Sequence, residues 1–207
     1  MLQLTRSLGL STILSSSLKK GMDETKDVVG PDNEFPDSFN KSFDRVFTNE
    51  GAFQNNRNDR GNWTSGVIGK GTLKGTKYGL AAMTYPDLDI RNITLLQAKR
   101  IYKRDWWDKF GMTLFPVAFQ YQMFDAAINH GMHNATKMVQ RASGAKDDGI
   151  IGPNTRAAIG KVEINDLLMS FLAERLEFMT NISSWSTFGK GWARRIAHNL
   201  KLATLDN

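Results

Sequence analysis

Glu50 and Asp59 are two carboxylates nine residues apart, the first at the expected exit of a helix and the second within the polar run Asn55-Asn56-Arg57-Asn58-Asp59. A pair of this kind can cleave a glycosidic bond: one protonated acid serves the leaving oxygen, and a second carboxylate works on the other face of the sugar. The acid must stay protonated near neutral pH, which requires a partly apolar, desolvated setting. Phe39, Phe43 and Phe47 precede Glu50 and Phe53 follows it, so that setting is at hand. Asp59, among asparagines and before Gly61, has the opposite, polar and hydrated neighbourhood. From spacing alone, a Glu that ends a helix and an Asp that forms a turn account for the same residues.

The elements that must position the pair are legible in outline. Gly30-Pro31-Asp32-Asn33-Glu34-Phe35-Pro36 is dense in turn formers and marks a linker, so residues 1–36 are expected to be a weakly ordered leader of unknown role, with a targeting or membrane-active helix as the alternative. Leu2 to Leu18 carries Arg6 and several serines; it is too short and too polar to span a membrane and lacks the pattern of a signal peptide. Asp37 or Ser38 can cap a helix on which Phe39, Phe43, Val46 and Phe47 repeat at helical spacing, delivering Glu50 at its end. From Gly51 to Gly79, frequent glycines cut the chain into short segments and predict a β-hairpin or small sheet.

Helices follow. Thr94-Leu95-Leu96-Gln97 is a capping-box pattern that opens a helix through about Lys109. Pro116 starts another, with Val117, Tyr121, Phe124 and Ile128 as one apolar stripe and Gly131 as its stop. A short helix is predicted over Asn134–Ala142. A longer one is marked by Ile164, Leu167, Leu168, Phe171 and Leu172, and a last one by Trp192, Ile196 and Leu200. The expected class is α+β and mostly helical: a small sheet near the N-terminal side of the catalytic region, then a helical bundle.

Composition narrows the chemistry. With 207 residues, 41% hydrophobic and 10% aromatic, the chain can bury a real core. The absence of cysteine excludes disulfides, thiolate catalysis and Cys-based zinc sites. The net charge is +6; residues 1–36 hold four basic and five acidic groups, leaving +7 on residues 37–207. A basic surface suits a polyanionic partner, but the chain has no basic helix or nucleic-acid motif, so nucleic acid is not expected. His130 and His133 stand without a further ligand cluster, and neither a metal nor a cofactor is expected.

Several motifs then occur in family order. They are Thr48-Asn49-Glu50-Gly51, Asp59-Arg60-Gly61-Asn62-Trp63-Thr64, Gly75-Thr76-Lys77-Tyr78-Gly79-Leu80, Tyr85-Pro86-Asp87-Leu88-Asp89-Ile90, Gln97 to Tyr102, Asp105-Trp106-Trp107-Asp108, Phe124-Asp125 and Asn129-His130-Gly131. Over roughly residues 38–132 the chain resembles glycoside hydrolase family 108, a family of bacteriophage and prophage peptidoglycan hydrolases. The resemblance implies a lysozyme-like fold, with Glu50 as the catalytic acid and Asp59 as its partner. Ala52 stands where the family's second glycine is usual. A threonine before a glycine-containing strand is the third member expected of phage-type lysozymes. Both Thr64 and Thr76 qualify; Thr76, ahead of Tyr78-Gly79-Leu80, is favoured.

Trp63, Thr64, Tyr78 and Asn129 are the expected substrate contacts. Further on, Met138 to Gly144 followed by Asp148-Gly149-Ile150-Ile151-Gly152-Pro153-Asn154-Thr155 resembles the peptidoglycan-binding segment fused to these muramidases; binding glycan and closing the helical bundle are both open roles for it. The implied organisation is a leader (1–36), a catalytic region (37–132) and a helical C-terminal part (133–207) packed on it. The implied function is a phage endolysin that cleaves the β-1,4 bond between N-acetylmuramic acid and N-acetylglucosamine. Such an enzyme is made in the host cytoplasm, acts in the periplasm, and is expected to be a monomer without stable membrane insertion. A lytic transglycosylase and a non-catalytic wall-binding virion protein are the alternatives.

Overall fold

Phenylalanines at 39, 43 and 47 do what their spacing predicts. In the computed structural model, which describes residues 34–47 and 52–207, helix α1 spans Asp37–Phe47 and buries all three rings together with Val46. The stretch 48–51, on which Glu50 falls, lies outside the described residues, as does the leader up to residue 33. The rings of Phe43 and Phe47 sit 4.6 Å apart, Phe47 lies 4.3 Å from Tyr102, and Phe39 meets Trp107 edge-on at 5.2 Å. Such pairs add to stability beyond the area they bury, and they fix α1 against the next helix.

That next helix, α2 (Leu95–Tyr102), opens with the predicted capping box. The Gln97 N–H donates to Thr94 Oγ1 and the Thr94 N–H to Gln97 Oε1. It does not continue to Lys109 as an α-helix: residues Lys103–Asp108 are wound as a π-helix. The wider turn shifts the side-chain phase by about one residue, which leaves Trp107 fully buried and Trp106 half-buried.

Between α1 and α2, the described residues of the glycine-rich stretch hold only two short strands, β1 (Thr76–Lys77) and β2 (Leu80–Ala81), paired antiparallel with Lys77 opposite Leu80. Isolated bridges join Gln54 to Thr76 and Trp63 to Leu73. The rest of the predicted hairpin is turns. The two-residue connection Tyr78-Gly79 has positive φ at both positions, 47° and 74°, the geometry that matches the twist of paired strands. Gly75, at φ +85°, is where glycine is obligatory: a Cβ there would lie 2.5 Å from the Gln54 carbonyl oxygen and 2.7 Å from the Phe53 ring. Its bare backbone lets the strand carrying Thr76 close on Gln54.

The described residues divide into two compact units, one within Gly30–Lys109 and the other comprising Phe110–Asn207. The second unit is a helical bundle. It consists of α3 (Val117–His130), α4 (Met132–Ala142), α5 (Pro153–Ile159), α6 (Ile164–Thr180) and α7 (Trp185–Asp206). Helix α3 is central, touching α4, α6 and α7, with every residue from Phe119 to Ile128 buried. Phe119 meets Phe171 of α6 edge-on at 4.8 Å.

Gly131, at φ +79°, ends α3 as expected, and α4 then starts at Met132, two residues before the predicted Asn134. The predicted stripe is corrected at its first member. Tyr121, Phe124 and Ile128 are buried, but Val117, in the first turn, is 74% exposed. Leu200 of α7 is likewise exposed, whereas Ile196 is buried.

Candidate functional site

Asp59 caps a single 3-10 turn, Arg60–Asn62, from an extended backbone (φ −98°, ψ 115°). Its Oδ1 accepts the Gly61 N–H at 2.8 Å and its Oδ2 accepts the side-chain amide of Gln54 at 3.3 Å. Thr76, on β1, exchanges both backbone hydrogen bonds with Gln54, at 2.8 and 2.9 Å. Its hydroxyl donates to Asn62 Oδ1 at 2.7 Å. Asn62 is fully buried; its amide nitrogen donates to Gln54 Oε1 at 2.8 Å and to the Asn56 carbonyl at 3.0 Å. Asp59 and Thr76, placed together by sequence reasoning, thus belong to one polar network joined through Gln54 and Asn62.

Gln54 and Asn62 were not singled out by the sequence. Asn62 lies inside the Asp59–Thr64 motif, but its composition reads as solvated loop.

Thr64 lies apart from this network, in the arm between Trp63 and Leu73. Its backbone N–H donates to the Thr72 carbonyl, and its hydroxyl accepts the Thr72 N–H at 2.9 Å. Trp63, half-buried, donates its indole N–H to the Arg57 carbonyl at 2.9 Å. Tyr78 is half-buried at the β1–β2 turn with the Lys77 ammonium 5.2 Å from its ring centre, and its carbonyl accepts the Tyr102 hydroxyl at 3.1 Å.

Asn129 belongs to the helical unit. There its amide nitrogen donates to the Asp125 carbonyl at 2.7 Å, and its oxygen accepts from Arg195. Around it lies a buried polar cluster. Asp125, 1% exposed, pairs with Arg175, 0% exposed, at 2.8 Å and accepts the Asn199 amide at 2.9 Å. Burial pushes the Asp125 carboxyl up, but the Arg175 and Arg195 charges outweigh it and hold the group at about 2. Burial, together with the Arg175 charge, drives His130 down to about 3. His130 is therefore a neutral partner of Arg175, and among the described residues no group of His, Asp and Glu is arranged to hold a metal.

In the C-terminal stretch, Gln140 binds the Asp-Gly turn. Its amide nitrogen lies 2.8 Å from Asp148 Oδ1 and 3.1 Å from Thr155 Oγ1, while its oxygen accepts the Gly149 N–H at 2.8 Å. Gln140, Asp148 and Thr155 of that motif are thus engaged with one another, while Arg141 pairs with Asp147 and Glu174.

The sequence profile of the family described as Glycosyl hydrolase 108 matches residues 43–131. No curated protein matches the chain. Among solved structures, the one titled "Structure of Brucella abortus SagA" is similar, with a TM-score of 0.67 and 27% sequence identity; the match covers 81% of this chain and 94% of that one. The mostly helical, lysozyme-like α+β architecture expected from the sequence is the one present. Residues 43–131, which run from the second half of α1 past Asp59 and Thr76 to the end of α3, are therefore the part of this chain that matches the glycosyl hydrolase 108 family.

Proposed function

We propose that this glycoside hydrolase is a phage-type endolysin that cleaves the β-1,4 bond between N-acetylmuramic acid and N-acetylglucosamine in bacterial peptidoglycan. In this reading Glu50 protonates the glycosidic oxygen, and Asp59 with Thr76 holds and activates the water that meets the oxocarbenium-like sugar. The supporting observation is the junction of Asp59 and Thr76 in one hydrogen-bonded network within the family-matched segment. Both Asp59 oxygens already accept hydrogen bonds, which suits a carboxylate that holds water better than one that must bond to a sugar carbon. In this reading Trp63, Thr64 and Tyr78 contact the glycan. The enzyme works as a monomer without metal or cofactor, on peptidoglycan in the periplasm of the host it lyses.

The test is digestion of purified Gram-negative sacculi by the wild-type protein and by Glu50→Gln, with the muropeptides identified by mass spectrometry. Reducing N-acetylmuramic ends that fall by about 10²–10⁴-fold in the variant are expected, the range for loss of a general acid. Anhydro ends would make the protein a transglycosylase, and no new ends would leave a wall-binding protein.

Tyr78 offers a second check. A tyrosine at φ +47° costs backbone energy that asparagine largely avoids. Tyr78→Asn is expected to keep or slightly raise the melting temperature while increasing the sacculus concentration needed for half-maximal rate. An unchanged half-saturation would remove Tyr78 from the substrate path.

A further inference from the structure

Two backbone groups fix the direction of the side-chain hydrogen bonds that link Asp59 to Thr76. The Asn56 carbonyl can only accept, so the Asn62 side chain must turn its amide nitrogen toward it, at 3.0 Å, and its oxygen the other way. The Asn56 N–H can only donate, so Gln54 must present its side-chain oxygen there, at 3.1 Å, and its amide nitrogen to Asp59 and Asn62. Both amides are thereby oriented without reference to the residues they serve.

The consequence falls on Thr76. A hydroxyl has one proton to give and two lone pairs. Asn62 Oδ1, an acceptor only, takes that proton at 2.7 Å, so the Thr76 oxygen can meet a water only as an acceptor. Asp59, accepting from Gln54 and Gly61, offers a second acceptor. A water that donates one hydrogen to each has its lone pair left for the sugar.

We propose that Asn62, with Gln54 behind it, is the positioning residue of this site: it commits Thr76 to the acceptor role and so orients the hydrolytic water. The inference rests on the muramidase reading above. In the step it serves, the water oxygen bonds to the anomeric carbon as the bond to the leaving oxygen breaks. Glu50 gives that oxygen its proton, and Asp59 takes one from the water.

The experiment measures turnover and half-saturation on purified sacculi for wild type, Asn62→Ala, Gln54→Glu, Thr76→Val and the Asn62→Ala/Thr76→Val pair, each checked for folding by circular dichroism. Gln54 is exposed, so Gln54→Glu keeps the test open where Asn62→Ala fails to fold. It replaces the donor facing Asp59 and Asn62 with an acceptor. Turnover is expected to fall by about 10²-fold in Asn62→Ala, the scale of a misplaced reacting group, and by about 10-fold in Gln54→Glu, with half-saturation unchanged. The paired variant should be no slower than Thr76→Val alone, because both changes remove one interaction.

Wild-type turnover in a folded Asn62→Ala or Gln54→Glu would overturn the assignment, as would losses that add in the pair. A wild-type protein that releases no reducing ends would instead overturn the muramidase reading, and this inference with it.

Discussion

Asp59→Asn is expected to lower the release of reducing N-acetylmuramic ends from sacculi by about 10²–10⁴-fold, the range for removing a positioned proton acceptor. The substitution keeps the shape of the side chain, so the cap on Arg60–Asn62 can survive through the remaining oxygen, which still accepts the Gly61 N–H. In the proposed mechanism it removes the basic oxygen that takes a proton from water. The amide it introduces also faces Gln54 Nε2, a donor, where the native carboxylate accepts at 3.3 Å. A transglycosylase would respond differently. There the muramyl 6-hydroxyl displaces the leaving sugar, no water has to be activated, and anhydro ends should form at close to the wild-type rate in Asp59→Asn. Counting the two kinds of end in one digest, at matched protein concentration and with circular dichroism of the variant beside it, separates the mechanisms.

The features that could be read from the sequence are those written in local spacing. The four-residue recurrence of Phe39, Phe43 and Phe47 predicts α1, and the Thr94–Gln97 pair predicts the start of α2, because caps and stripes depend on neighbours within one turn. The π-helical exit of α2 escaped that logic: its phase is set by where Trp107 finds Phe39, a residue far back in the chain. Helix α3 shows the same limit from the other side. A single apolar stripe predicts one wet face, yet Gln120, Gln122 and Asp125 are buried too, because α4, α6 and α7 together enclose the helix.

Within the site, the pairing of Asp59 with Thr76 came from family order. The residues that connect them, Gln54 and Asn62, are polar and sit in a loop-like context. A buried asparagine in such a run looks like a solvated one until the strand carrying Thr76 is laid against Gln54.

The buried cluster around Asp125 should be the point at which the helical unit is easiest to break. Replacing Arg175 by Met is expected to cost about 3–5 kcal/mol of unfolding free energy, because it leaves a buried carboxylate without its main counter-charge. What remains is the Asn199 amide at 2.9 Å, the Asn129 amide at 3.2 Å and Arg195 at 3.9 Å, the last partly exposed to solvent. The same change made together with Asp125→Leu should cost less than the sum of the single losses, since no isolated charge is then left inside. Urea titrations followed by circular dichroism measure both; losses that add in the double variant would mean that packing, rather than charge, sets the cost.

Acid should act on the same cluster. His130 is held down at about 3 and Asp125 at about 2, both below their unfolded values. The unfolded chain therefore takes up protons first, and the stability these groups contribute is present at neutral pH and lost as pH falls. His130 opens the window near pH 6.5 with a slope of at most about 1.4 kcal/mol per pH unit, and Asp125 extends it below pH 4. His130→Gln should flatten the decline between pH 6.5 and 4 while leaving the steeper loss below it. An unchanged slope in that variant would place the acid-sensitive group outside the cluster.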